Sequence, residues 1–285
     1  MEHYHKSSLK LLFISILILI VIANSIILLS DPFNRTHTAL WMMNISAAVA
    51  SSLGIIAIYR YGIRDLHGKS IMCVTIGLIF WFAADLSLLY SHSTHGKEEM
   101  LVSSTDGLWF MGYIFLALHL SIILRSLRNE RNTYDPSSRT QTKIVIILIV
   151  IIATAFVIFN MLVISLSESF TNPEERVDFQ ALIVTIAYPV LDLILIVPSI
   201  LILITLRNDI RHYVPWLLSS LSLLLSAIAD DGYVIDYVNG NFRHLVFWDL
   251  FYVTDFIIMA GALFWYNRYH IISGKKSSRT MEVEP

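Results

Sequence analysis

Eight apolar segments, each about as long as a bilayer is thick, constrain the fold of this chain more than any other feature. A helix needs roughly 20 mostly apolar residues to cross the hydrocarbon core of a membrane. Segments of this kind cover residues 11–29, 39–59, 70–90, 107–124, 144–166, 180–206, 213–235 and 245–267. Apolar residues make up 56% of the chain and charged residues 15%, a balance at which a soluble domain would expose large apolar patches. The sequence therefore predicts an all-α membrane protein and excludes a soluble enzyme, a disordered protein and a nucleic-acid binder.

Lysine and arginine are distributed very unevenly between the two sides of these segments. Four of them, Arg35, Lys97, Arg176 and Arg243, flank one side, and the other sixteen flank the opposite side. Because positive charge favours the cytoplasmic side, we expect a multi-pass protein of the cell membrane with both termini in the cytoplasm. Segment 11–29 is then a retained signal anchor. Acidic residues show the opposite bias, which should attract cations to the external face.

A pattern of acidic and aromatic residues occurs twice along the chain. Its positions are Asp85, Asp106 and Trp109 in the first copy, and Asp230, Asp249 and Tyr252 in the second. In each copy, the first aspartate lies near the end of one span and the Asp-x-x-aromatic group opens the next span. The two copies are about half a chain length apart. We therefore predict eight transmembrane helices arranged as two tandem, parallel four-helix repeats. The predicted units are 1–140 and 141–272, followed by a cytoplasmic tail, 273–285.

This doubled pattern resembles the multi-span membrane sensory domains found N-terminal to diguanylate cyclase modules in bacterial signalling proteins. The segment Tyr188-Pro189-Val-Leu-Asp192-Leu, followed by an arginine-bearing loop, is similar to the same group. The resemblance implies a receptor-like module that passes its signal to a partner signalling protein. Since 13 residues follow Ile272, we expect a stand-alone version without an output domain.

Several acidic side chains fall inside the predicted spans, where ionisable groups are costly and often functional. They are Asp85, Asp192, Asp230, Asp231, Asp249 and Asp255. A helical rise of about 1.5 Å per residue places Asp192 about 18 Å deep, near the midplane, and the others in the outer half. The spans contain no lysine or arginine to neutralise these acids. Either the carboxyls are protonated, because desolvation disfavours their charged form, or they hold a cation.

We therefore predict an acidic, aromatic-lined pocket that opens outward and takes a small cationic or polar ligand. The candidate binding residues are Asp85, Asp192, Asp230, Asp249, Asp255, Tyr188, Trp109 and Tyr252. Asp230 is preferred to Asp231 because adjacent helical residues point about 100° apart and the repeat aligns Asp230 with Asp85. Helix capping for Asp249 and interhelical packing for Asp85 and Asp230 are the simpler alternatives.

The leading interpretation is a sensory or binding module without catalysis, and the alternative is a proton- or cation-coupled transporter. Pro189 and Pro198 favour the alternative, since they free helix carbonyls beside Asp192, as in the broken helices of transporters. The inner halves of the spans carry few polar groups, which argues against a path across the membrane. A lipid-modifying enzyme and an assembly subunit of a larger membrane complex remain open. We expect no cofactor.

The histidines offer weaker signals. His92 and His95, after the third span, are weak candidates for metal ligands, and a solvated loop tip is the simpler interpretation. His119 lies inside the fourth span, where a packed, hydrogen-bonded side chain is expected. No span contains a lysine, which excludes a retinal Schiff base.

Overall fold

A computed structural model describes residues 2–95, 105–134, 179–206, 213–238, 241 and 245–281, with single positions between 147 and 162. Every regular element in these ranges is an α-helix. The helices are α1 (Glu2–Leu29), α2 (Arg35–Tyr61), α3 (Leu66–His95), α4 (Thr105–Tyr134), α5 (Phe179–Leu206), α6 (Val214–Val238) and α7 (Leu245–Met281). All seven are long and apolar enough to cross a membrane. The protein is therefore an all-helical, multi-pass membrane protein.

Seven of the eight predicted spans coincide with these helices. The fifth, 144–166, lies outside the described residues apart from isolated positions, of which Ile147, Ile151, Ile158 and Leu162 are helical and exposed. Helix α7 continues to Met281, through most of the predicted tail. Residues 273–281 contain one glycine and no proline to end the helix.

Short polar turns join the first helices. Gly62, with a φ of 73°, ends α2, and its backbone N–H donates to the Ile58 carbonyl at 2.9 Å. A residue with a side chain would be strained at this φ. Asp65 then accepts a hydrogen bond from the Gly68 N–H at 2.7 Å, which satisfies an otherwise unpaired donor at the start of α3. A connection this short makes α2 and α3 antiparallel neighbours.

Helices α2 to α7 form a closed ring in which each packs on the next and α7 returns to α2, while α1 packs outside on α7 and α2. Large aromatic side chains fill the ring. Trp81 meets Tyr113 and Phe256 edge-on, with ring centroids 5.4 and 6.3 Å apart. The helices approach closely where glycine faces a neighbour. A Cβ atom on Gly54 would lie 2.4 Å from the Thr75 hydroxyl.

The outer surface of the bundle is apolar. Along α1, large side chains such as Leu11, Leu17 and Val21 are more than half exposed. Such a surface is stable only against lipid tails, because water would leave a large apolar patch uncovered. The helices therefore contact the lipid bilayer directly.

Candidate functional site

The two ends of the bundle differ in charge. The end that carries Asp106 and Asp236 is called the acidic end here, and the end that carries Arg60 and Arg125 the basic end. Helices α2, α4, α5 and α7 begin at the acidic end. The Asp106–Tyr188 and Tyr113–Asp192 contacts show that α4 and α5 run in the same direction.

Tyr113 bridges two carboxyl groups from different helices. Its hydroxyl lies within hydrogen-bonding distance of Oδ1 of Asp192 on α5 and of Oδ2 of Asp230 on α6. A phenol has one proton to donate. Both contacts are therefore hydrogen bonds only when one of the two carboxyls carries a proton and donates it to the Tyr113 oxygen.

Asp230 receives a second phenol from α7. The Tyr252 hydroxyl donates to Asp230 Oδ1 at 2.6 Å. The residues Tyr113, Asp192, Asp230 and Tyr252 are referred to below as the carboxyl bridge. Asp192 and Tyr113 are buried, whereas Asp230 and Tyr252 are half-buried.

The first half of the chain contains a related contact. The Trp109 indole N–H donates to Asp85 Oδ1 at 3.1 Å, and the Trp109 carbonyl accepts from the Trp81 indole at 3.2 Å. Asp85 and Trp109 occupy the positions that correspond to Asp230 and Tyr252 in the sequence pattern. In both halves, an aromatic donor at the start of one helix holds the aspartate near the end of the preceding helix.

Two further aspartates lie around the carboxyl bridge. The Tyr188 hydroxyl donates to Asp106 Oδ1 at 2.6 Å. Tyr188 lies one helical turn closer to the acidic end than Asp192. Asp255 is buried on α7 and is hydrogen-bonded to Ser226 of α6. Within the part of the chain that the structure describes, Oδ2 of Asp192 and Oδ1 of Asp255 are buried without a hydrogen-bond partner. These two oxygens have unused capacity to bind a donor or a cation.

Asp192 and Asp230 lie at one level of the bundle, because Tyr113 contacts both of them. Tyr113 lies eight positions after Thr105, at about 12 Å along α4. Asp192 lies 13 positions after Phe179, near the middle of α5.

The remaining predicted positions do not belong to the carboxyl bridge. Asp249 is half-buried in the first turns of α7, one turn nearer the acidic end than Tyr252, and Asp231 is buried beside Asp230. The His92 ring lies 5.9 Å from the His37 ring of α2. The side chain of His95 lies outside the described residues.

Tyr113 and Asp106 were absent from the predicted site. Both share one face of α4 with Trp109, at spacings of three and four residues, and residues so spaced are neighbours on a helix. Extending the Asp-x-x-aromatic pattern by one turn would have found Tyr113. The contact between Asp106 and Tyr188 joins helices far apart in the chain, so no local spacing indicates it.

The expectation that the basic half of the bundle has few polar groups is wrong. Buried polar side chains in that half include Ser51, Ser70, Thr75, His119, Ser199, Ser219, Ser220, Ser222 and Asn267. A serine changes the mean hydropathy of a leucine-rich helix very little, so these buried polar positions are recognised only when the burial of each side chain is known.

The carboxyl bridge offers oxygen ligands to a small cation or a proton. No three histidine, cysteine or acidic side chains in the described ranges come together as a metal site. Two carboxyls and two phenols at a half-buried position supply oxygen atoms and one or two negative charges. This arrangement suits an alkali cation, an ammonium group or a bound proton.

Comparisons of this chain with protein-family models, with curated proteins and with solved structures find no match.

Proposed function

We propose that this protein is a membrane sensory or binding module that takes a small monovalent cation at the carboxyl bridge. The observation that carries the proposal is the buried Asp192 carboxyl, whose Oδ2 has no hydrogen-bond partner in the described part of the chain and whose Oδ1 shares Tyr113 with Asp230. The helices that hold the bridge contain no lysine or arginine near it. A buried carboxylate without a counter-charge is costly, so a proton or a cation is needed there.

The bridge holds one proton when it is empty and releases it when a cation binds. The proton follows from the hydrogen-bond count, because Tyr113 cannot donate to both carboxyls. A cation between Asp192 and Asp230 replaces that proton as the positive partner. Binding is then linked to pH, and affinity increases as pH rises, because the ligand competes with protons.

Eight spans arranged as two parallel four-helix repeats, 1–140 and 141–272, are part of the same proposal. Helices α4 and α5 both begin at the acidic end, which supports a further crossing between them at the predicted span 144–166. The ring also supports a two-fold repeat, because α2–α3, α3–α4 and α2–α7 contacts correspond to α5–α6, α6–α7 and α5–α4 contacts. The Trp109–Asp85 and Tyr252–Asp230 hydrogen bonds are a matching pair.

The same proposal places the acidic end outside the cell membrane and both termini, with residues 273–285, in the cytoplasm. The excess of lysine and arginine at the basic end supports this orientation. The resemblance to sensory domains of diguanylate cyclase proteins supports a signalling role. Such a role requires a partner signalling protein at the basic end.

Thermal unfolding of the purified protein in detergent tests the binding site. We expect Na⁺, K⁺ or ammonium to raise the unfolding midpoint saturably and more strongly at higher pH. At 100 times the dissociation constant, the free energy of unfolding should increase by about 2.7 kcal/mol. Choline, at equal ionic strength, should have no such effect. Asp192→Asn should abolish the response. Asp236→Asn is the matched control, since Asp236 is bound to Trp248 outside the bridge and the response should remain.

If none of these cations shifts the midpoint, or if Asp192→Asn responds like the parent, the carboxyl bridge is a packing element and the proposal fails. Parent and variants must be compared at matched pH, because removing a carboxyl also changes the stability of the empty protein.

A proton- or cation-coupled transporter is the second candidate. Pro189 and Pro198 both lie inside α5, on either side of Asp192, and each removes a backbone hydrogen bond from the helix. Cation uptake into liposomes separates the two functions. A transporter carries radiolabelled cation down its gradient in a manner that Asp192→Asn abolishes, whereas a binding module gives stoichiometric binding without uptake.

A further inference from the structure

A line of buried hydroxyl groups runs along one face of α6 from the carboxyl bridge toward the basic end. Ser226, Ser222 and Ser219 follow Asp230 at spacings of four, four and three residues, and each is at most 3% exposed. Residues at these spacings are neighbours on a helix, with Cβ atoms about 5–6 Å apart. A single water molecule can bridge two hydroxyls at that separation.

His119 continues this line onto α4 and α3. Its Nε2 lies 3.2 Å from Ser219 Oγ, and its Nδ1 lies 2.8 Å from Ser70 Oγ and 3.0 Å from the Ser70 carbonyl. The ring is fully buried. Histidine is the one side chain that can accept a proton at one nitrogen and release another from its second nitrogen near neutral pH.

The surroundings of His119 accommodate both of its neutral tautomers. With the proton on Nδ1, the ring donates to the Ser70 carbonyl and accepts from Ser219. With the proton on Nε2, it donates to Ser219, whose hydroxyl donates to the Trp216 carbonyl at 3.2 Å, and Nδ1 accepts from Ser70. The Trp216 indole also packs on the His119 ring, with ring centroids 6.0 Å apart.

The line ends in a groove at the basic end. This groove is lined by Ser70, His67, Ser126, Tyr213 and Trp216, among others. His67 is half-buried and stacks on Trp216, with centroids 5.4 Å apart. A second imidazole therefore lines the same groove as the buried Ser70, and its exposed part can exchange protons with water.

We propose that protons pass between the carboxyl bridge and the basic end through Ser226, Ser222, Ser219, His119 and Ser70. Each hydroxyl accepts a proton on its oxygen and gives its own to the next group. His119 accepts at Nε2 and releases from Nδ1, and a ring flip restores the first tautomer. One proton leaves the bridge for each proton delivered to the groove, with no change in any covalent heavy-atom bond. Cation binding at the bridge does not require this path, so the two proposals are independent.

Proton flux into liposomes tests the path. The protein is reconstituted with a trapped pH-sensitive dye in choline salts, and an inward proton flux is driven by an inward gradient of the permeant anion thiocyanate. His119→Gln retains a donor and an acceptor for its neighbours but cannot relay a proton, so we expect a flux lower by about 100-fold, the scale of one positioned proton-transfer group. Ser222→Ala should also lower the flux, because it removes the central hydroxyl of the line.

Ser220→Ala is the matched control. Ser220 is an adjacent buried serine of α6, it lies outside the line, and its Oγ has no hydrogen-bond partner within the described ranges. We expect its flux to equal that of the parent. The proposal is overturned if parent liposomes conduct no faster than protein-free liposomes, or if His119→Gln conducts like the parent. In either case the cation-induced thermal shift reports separately on the bridge.

Discussion

At the scale of single residues, Tyr113 is the group on which the site depends. Its hydroxyl connects α4 to both α5 and α6, and no other described hydroxyl contacts two acidic side chains by the hydrogen bonds given above. The acids around it were recognisable in the sequence, because a carboxyl inside an apolar helix is conspicuous. A tyrosine in the same helix is ordinary, so its spacing from Trp109 could have drawn attention to it, but its contacts with Asp192 and Asp230 became visible only through the packing of distant segments.

Tyr113→Phe should destabilise the protein while leaving the ring packing intact. The buried carboxyls of Asp192 and Asp230 lose their shared partner, and leaving a buried polar group unpaired costs about 1–3 kcal/mol. Thermal unfolding in detergent without added cation measures this loss. Tyr59→Phe is the control, because Tyr59 is 91% exposed and its removal should change little.

The double variant Tyr113→Phe with Asp192→Asn sharpens this test. If the bridge exists, the two substitutions remove one shared interaction, so their effects are not additive. Additive losses would mean that Tyr113 and Asp192 do not interact, which contradicts the bridge.

At the scale of helices, close packing of α3 on α4 positions the site. Gly112 faces Trp81, and a Cβ atom there would lie 2.2 Å from Trp81 Cδ1. Trp81 in turn contacts Tyr113 and donates to the Trp109 carbonyl. A movement of the Trp81 ring would therefore disturb Tyr113, which belongs to the carboxyl bridge, and Trp109, which donates to Asp85.

Gly112→Ala should cost about 1–3 kcal/mol of stability, as overpacking of a filled interior does, and should weaken the cation response by displacing Tyr113. Gly107→Ala on the same helix is the control, since a Cβ atom there has no neighbour within 4 Å. Unfolding midpoints of the two variants, with and without cation, make the comparison. Equal behaviour of the two would show that Trp81 is not held by this contact.

Helix existence was the most predictable part of the fold. Seven predicted spans are confirmed as helices because a run of about 20 apolar residues has few other stable forms in a membrane. Helix ends were less predictable, since α1, α3, α4 and α7 extend beyond their apolar parts by several polar residues. The order of helices around the ring, and hence the Tyr188–Asp106 contact, was not predictable from composition at all.

At the scale of the whole molecule, the ring of α2 to α7 places an acidic cluster at one end and a buried histidine toward the other. In the proposed arrangement, the repeat and the eighth span determine how this ring is oriented in the membrane. If residues 135–178 cross the bilayer once, the two ends of that segment lie on opposite sides. If they do not, α4 and α5 could not both begin on the same side.

Cysteine labelling in intact cells tests this arrangement. Cys73 is the single cysteine and is buried, so Cys73→Ala provides the background. A membrane-impermeant maleimide should label Thr171→Cys and Ser93→Cys without lysis, and Ser137→Cys and Arg64→Cys only after lysis. Labelling of Ser137→Cys and Thr171→Cys from the same side would exclude the eighth span.

The carboxyl bridge is proposed to hold a proton and to exchange it for a cation. Infrared difference spectroscopy of the protein in lipid, with and without Na⁺, K⁺ or ammonium, reads this directly through the C=O stretch of protonated carboxyl groups. We predict that cation binding removes intensity from that band, and that Asp192→Asn and Asp230→Asn lose the difference signal while Asp236→Asn retains it. An unchanged band on cation addition, or a change that persists in Asp192→Asn, would contradict the account.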